Sequence, residues 1–183
     1  MEEYEMSEQQ SANQTVSKME GGELVLARTF NAPRELVFKV WTEAEHLAQW
    51  WGPAGMELTV LKLDVRPGGI YHFGMKSPEG FEMFGKFVYY EIAAPEKLVY
   101  TNAFADAEGN TIRAPFFATP VFPLEIMNTL TLAEQDGQTM LTLRGAPYNA
   151  TEEERQFFAS MHESMHQGFS GTFDQLERHL AKL

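Results

Sequence analysis

One stretch of the chain has residue types and spacing that could do metal chemistry: His162-Glu163-Ser164-Met165-His166. It matches H-E-x-x-H, in which two histidines four apart on a helix hold zinc and the glutamate acts as base in hydrolysis. Several features argue for coincidence. The extended motif needs glycine and histidine where this chain has Phe169 and Thr172. On the helix predicted here, His162 falls inside the apolar face, His166 at its edge, and Glu163 points well away. No nearby Asp, Glu or His offers a third ligand. The plainer reading is two polar side chains near a cavity rim. No catalytic residue, metal ligand or cofactor is assigned.

Other candidates are single residues. His72 alternates with Tyr71 and Phe73, so it could face a cavity and act as hydrogen-bonding partner, acid or base. A structural or solvent-facing histidine is the plainer reading. Tyr100, Asn102 and Asn128 sit on expected strands as polar groups that a cavity could use. Arg113, in a long loop, could meet an anionic group at the mouth. Trp50-Trp51 and Phe116, Phe117 and Phe122 fall in helix ends or loops, where exposed aromatics are costly unless they cap something. They read as an apolar gate, with ordinary end-packing as the alternative. No phosphate-cradling glycine loop, nucleophile elbow or defensible carboxylate pair is present.

The element that must position these groups is the last one. Thr151 to Lys182 reads as one long amphipathic helix, opened by a capping box of Thr151 and Glu154. Phe158, Met161, Met165, Phe169, Phe173, Leu176 and Leu180 recur at intervals of three and four. Gly168 and Gly171 interrupt it. They are expected to mark where sheet and helix approach closely and the cavity narrows, with a break into two helices as the competing explanation.

Before it, Glu23–Phe30 reads as a strand, followed by two short helices, the second opened by a Thr42/Glu45 capping box. Six strands then follow in hairpin succession: about 56–65, 70–76, 81–92 with Gly85 as a candidate bulge, 97–104, 124–133 and 139–146. The fold class is α+β, in the order β-α-α-β-β-β-β-β-β-α. One helix covers one face of seven antiparallel strands, so the sheet must curve around it, and any unfilled volume becomes a cavity.

Composition narrows the function. The 183 residues carry a formal charge of −12 and no cysteine. That charge argues against nucleic acid and against an anionic membrane. No apolar run approaches a membrane span, and the expected compartment is the cytoplasm. Residues 1–21 read as an acidic flexible tail and 22–183 as one domain. Fourteen Phe and ten Met are suited to lining an adaptable apolar cavity.

Four stretches carry a resemblance: RTFNAPRELVFKVWTEAEHLAQWWGPAG, DVRPGGIYHFGM, EIAAPEKLVYTN and APYNATEEER with SMHQGF. Together they resemble the SRPBCC superfamily, the START-like or birch-pollen-allergen-like helix-grip fold. Within it they are most similar to the C-terminal domain of the activator of the heat-shock chaperone ATPase. The resemblance runs from about Gly22 to Lys182. It implies a curved antiparallel sheet gripping a long C-terminal helix, with a cavity between. Members bind lipids, hormones and polyketides, and some catalyse cyclisation or hydrolysis. The activator also has a separate N-terminal domain, where this chain has its acidic stretch, which argues against a co-chaperone role.

The leading expectation is binding of a small apolar or amphipathic molecule between sheet and helix. The alternatives are a cavity-based cyclase or hydrolase using His72 or His162, and a protein interaction resembling chaperone ATPase activation. The expected lining is His72, Phe87, Tyr100 and Asn102 from the strands, with Trp51 from a helix end and Phe117 from the long loop. From the helix come Met161, His162, Met165 and Phe169. Related folds are often dimers, so a homodimer is admitted as a further partnership.

Overall fold

A computed structural model of the chain describes residues 14–117 and 121–183. Its nine strands form one antiparallel sheet. They are β1 (Val16–Glu20), β2 (Glu23–Phe30), β3 (Glu57–Leu63), β4 (Ile70–Lys76), β5 (Glu82–Ala93), β6 (Lys97–Ala105), β7 (Thr111–Ile112), β8 (Glu125–Gln135) and β9 (Gln138–Tyr148). The helices are α1 (Arg34–Thr42), α2 (Ala44–Trp50), α3 (Glu152–Ser160) and α4 (His162–Leu180). Sheet order is β1-β2-β9-β8-β6-β5-β4-β3, with β7 a short addition to β6. This is the expected curved sheet around a C-terminal helix, with two more strands than the seven expected.

The extra strand β1 occupies part of the expected acidic tail, residues 16–20; residues 1–13 of that tail lie outside the described residues. β1 and β2 join through a two-residue turn in which Gly21 and Gly22 both have positive φ, 58° and 84°. That is the type I′ hairpin geometry, which glycine adopts without steric cost. β1 turns Ser17 and Met19 inward and exposes Val16, Lys18 and Glu20. Its charged outer face suits a sheet edge, where it discourages pairing with another chain.

The core lies between one face of the sheet and the helices. Alternate residues of each strand supply it: Leu24, Leu26 and Phe30 from β2, Tyr71 and Phe73 from β4, Leu130 and Leu132 from β8. Phe158, Phe173 and Leu176 answer from α3 and α4. Gly85 is not a bulge, since its pairing with Phe73 and Phe104 is in register. A Cβ there would lie 2.5 Å from the Phe73 ring, so the glycine seats that aromatic. The register shifts fall at Val60/Lys62 and Tyr89/Glu91.

Two helix expectations need correction. The Thr42/Glu45 capping box does not form. Glu43 caps α2 in an extended conformation without a side-chain hydrogen bond, and the Thr42 hydroxyl donates to Phe38 O. The C-terminal helix is two helices, broken at Met161 rather than at the glycines. Ser160 Oγ donates to Phe157 O at 2.6 Å, and Met161 N–H donates to Phe158 O. A serine bonding back to the preceding turn bends a helix, and here the turn tightens and α4 starts afresh. The Thr151/Glu154 capping box does form, in both directions.

α4 is tied at both ends. At its C-terminal end His179 Nε2 lies 2.9 Å from His46 Nδ1 of α2. Partial burial, then the neighbouring His46 and Lys182, hold the His179 pKa below its ordinary 6.5. A depressed folded-state value means that the unfolded chain binds more protons just below that pH. Stability from this pair is therefore fully present above about pH 6.5 and is lost as pH falls through the folded value. Denaturation midpoints measured from pH 7 down to 5 should fall in the parent and fall less in a His179→Gln variant. Equal slopes would remove His179 as the source.

Candidate functional site

The apolar stripe of the C-terminal helices is buried at both ends and open in the middle. Phe158, Phe173 and Leu176 are shielded, whereas Met165 and Phe169 are only half-buried although they face the sheet. The reason is a cavity of about 620 Å³ between α4 and the sheet. Trp51, Phe73, Met75, Tyr100, Phe104 and Met165 contribute apolar surface to it, and Asn102, Asn128 and Thr172 are among its polar groups. A side chamber of about 190 Å³ adjoins it, walled by Leu24, Leu26, Leu143, Phe122 and Phe158. Asn102, Ala103, Phe104, Asn128, Met165 and Phe169 line both.

Gly168 and Gly171 belong to this wall, and a Cβ at either would meet nothing within 4 Å. They therefore do not mark close approach of helix and sheet; they mark the room beside the helix. Opposite them, the loop after α2 is held by Gly52, whose carbonyl accepts from Thr172 Oγ1 at 3.0 Å and Gln175 Nε2 at 2.8 Å. Those bonds place Trp51 at the cavity, edge-on to Phe87 at 5.2 Å. Phe87 itself is a core residue, stacked on Tyr100 at 4.2 Å, one layer behind the lining. Burial pushes the Tyr100 phenol well above its ordinary range, with the Tyr89 hydroxyl adding to the effect.

The polar centre is an asparagine pair. Tyr100 on β6 pairs with Asn128 on β8, and Asn102 lies two residues along the same face. Asn128 Nδ2 donates to Asn102 Oδ1 at 2.6 Å and to Ile126 O at 3.1 Å. A Cβ at Gly145, across the sheet from Asn128, would lie 2.7 Å from Asn128 Oδ1, so the glycine makes room for that amide.

Of the expected lining, the structure brings together Trp51, Tyr100, Asn102, Met165 and Phe169 around the cavity. His72 lies elsewhere. It is buried on the other face of β4, where its Nε2–H donates to Asp106 O at 3.0 Å and Gly109 packs beside the ring. The alternation with Tyr71 and Phe73 was legible, but not that these aromatics own the inner face. His162 also turns away. Ser17 Oγ on β1 lies 2.9 Å from His162 Nε2 and 2.6 Å from His166 Nδ1. A hydroxyl can donate to one ring and accept from the other, so the H-E-x-x-H histidines fasten α4 to the edge strand. Among the described residues no cluster of three or more His, Cys, Asp or Glu is arranged to hold a metal. Met161 sits at the helix break and is likewise not on either wall.

The expected gate divides into separate parts. Trp50 is fully buried, its indole N–H donating to Val40 O. Phe116 reaches the main cavity and is half-exposed. Phe117 instead stacks on Phe122 at 5.5 Å and meets Phe157 edge-on at 5.1 Å. Arg113 is not free for a ligand, because it pairs with Glu154 at 2.8 Å. The backbone N–H of Thr151 and then Arg113 hold the Glu154 carboxyl below its ordinary range. The residues that sequence reading missed are Phe73, Met75, Phe104 and Gly145; strand alternation around Tyr71 and Tyr100 was the available signal for the first three.

Comparison with known proteins agrees with this architecture. Residues 31–181 match the family model described as activator of Hsp90 ATPase homolog 1-like protein. Among solved structures, a protein from Mycobacterium smegmatis is 26% identical, with a TM-score of 0.72 over 90% of this chain and 95% of that one. A protein from Arthrobacter aurescens, solved in solution, is 23% identical, with a TM-score of 0.76 over 92% of each chain. One from Rhodobacter sphaeroides shares the fold at 18% identity, with a TM-score of 0.74 over 93% of this chain and 100% of that one. No curated protein matches.

Proposed function

We propose that this chain, which belongs to the activator of Hsp90 ATPase homolog 1-like family, binds a small apolar or amphipathic molecule in the cavity between α4 and the sheet. The observation that carries this reading is the interrupted burial of the helix stripe. Met165 and Phe169 face inward yet meet a void of about 620 Å³, flanked by two glycines that leave it open. A helix face that apolar is stable beside such a space when something apolar occupies it, because burial of that surface is the main favourable contribution. The enzymatic alternatives lose their motivation, since neither His72 nor His162 is on the lining. We place the protein in the cytoplasm, as its sequence suggests; among the described residues no helix is long and apolar enough to cross a membrane.

Titration with N-phenyl-1-naphthylamine, an uncharged dye that brightens in apolar surroundings, tests the reading. Saturable binding of one dye per chain is expected, with transfer of excitation to the bound dye from Trp51 and from Trp41 and Trp50, which lie 5.8 and 5.5 Å from the Trp51 ring. Native mass spectrometry of protein purified without detergent should in addition show a retained small molecule on part of the population. Absence of saturable dye binding would overturn the reading.

A further inference from the structure

The two chambers share a wall, and that wall contains the asparagine pair. Three observations bear on what could lie there. First, neither chamber is lined by an Asp, Glu, Lys, Arg or His among the described residues. An ion brought into such a space loses its water and meets no counter-charge. The chain's formal charge of −12 opposes anions further. Second, the hydrogen bond from Asn128 Nδ2 commits Asn102 Oδ1 as an acceptor. Asn102 lines both chambers, and its Nδ2 amino group has no acceptor among the described residues. Third, Asn128 is almost fully buried and spends its own donors on Asn102 and Ile126 O, so it orients Asn102 and is not itself the donor offered.

Resting on the cavity as the binding site, we infer that the ligand is an uncharged carbonyl compound, an amide, ester or ketone with apolar groups on both sides. The carbonyl oxygen accepts from Asn102 Nδ2 at the junction. The bulkier apolar group fills the main cavity and the smaller one enters the side chamber behind Phe122 and Leu143. A carbonyl there would take the Asn102 donor that Asn128 leaves uncommitted, within a pocket whose walls are mostly apolar.

Two matched comparisons on the intact wild-type protein test this. The first sets N-phenyl-1-naphthylamine against 8-anilinonaphthalene-1-sulfonate, the same skeleton with a charge added; the sulfonate should bind at least about tenfold more weakly. The second sets N-benzyl-2-naphthamide against 2-(3-phenylpropyl)naphthalene, which keeps the two aryl groups and removes the carbonyl. The amide should displace the dye with about tenfold higher affinity, about what one added hydrogen bond supplies. Asn102→Leu should erase that preference, bringing the ratio of amide to hydrocarbon affinity to about one whatever the change in either alone. Equal binding of sulfonate and parent dye would overturn the uncharged assignment, and equal binding of amide and hydrocarbon to the wild-type protein would overturn the carbonyl. In both cases the binding reading survives. If none of the neutral probes binds, it is the cavity reading itself that fails.

Discussion

Replacing Gly168 and Gly171 by leucine is expected to weaken binding of an apolar dye while making α4 more stable. Each glycine sits inside a helix, where it is about 0.8–1 kcal/mol less favourable than a good helix former. Neither is there for want of space, since an added Cβ would touch nothing within 4 Å. The alanine pair Gly168→Ala/Gly171→Ala should therefore stabilise the protein by about 1–2 kcal/mol and raise Tm by about 2–8 °C, with dye affinity little changed. The leucine pair should show the same gain in Tm, but its side chains project into the cavity that the dye occupies. Affinity should fall at least about tenfold, since a few misplaced methylenes are enough for that. Dye titration and thermal melts on the two pairs check the expectation. A leucine pair that binds as the parent does would mean that this wall is not where the ligand sits. Residues that weaken a helix while leaving room beside it are what a compromise between stability and binding predicts.

The second large effect is at Arg28, and it is asymmetric. Its side chain is 3% exposed, while those of its two partners on α4, Asp174 at 2.7 Å and Glu177 at 3.0 Å, are 54% and 40% exposed. The positive charge is thus the buried member, with the Phe30 ring 5.5 Å beneath it. Removing both carboxylates, as Asp174→Asn/Glu177→Gln, strands a buried cation and should cost about 3 kcal/mol. Removing the cation, as Arg28→Met, leaves two carboxylates already half in water and an apolar stem where the stem was. That should cost about 1 kcal/mol or less, as exposed ion pairs contribute little. Urea denaturation at equal m-values distinguishes the two; a larger loss for Arg28→Met would reverse the assignment of the buried charge.

How far the sequence could be read follows from what each signal measures. Strand alternation and turn residues report local geometry, so the hairpin succession and the Asp136-Gly137 turn, with φ of 54° and 78°, were legible. β1 was not, because an edge strand with one solvated face has a polar sequence, although Gly21-Gly22 was a usable turn signal. The helix stripe reports which side is apolar, not whether that side is filled. Met165 and Phe169 were placed on the cavity for this reason, while Met161 was misplaced by a break that no proline or glycine announces. His72 and His162 illustrate the limit of single residues. Both histidines have partners, Asp106 O and Ser17 Oγ, supplied by segments 34 and 145 residues away in sequence. Such pairings follow from topology alone.

α4 is held at its beginning by Ser17 on the edge strand, near its end by His46 and Arg28, and along one side by the Gly52 carbonyl. Between those points it spans open space. Mechanically it is a beam fixed at its supports and unloaded at mid-span, where the cavity interrupts the hydrophobic core. An occupant would complete that core. Since it would bind the folded chain and not the unfolded one, the melting temperature becomes a readout of binding, continuing to rise with the logarithm of free ligand above its dissociation constant. A thermal-shift screen of uncharged metabolites therefore needs no knowledge of what, if anything, the protein does to them.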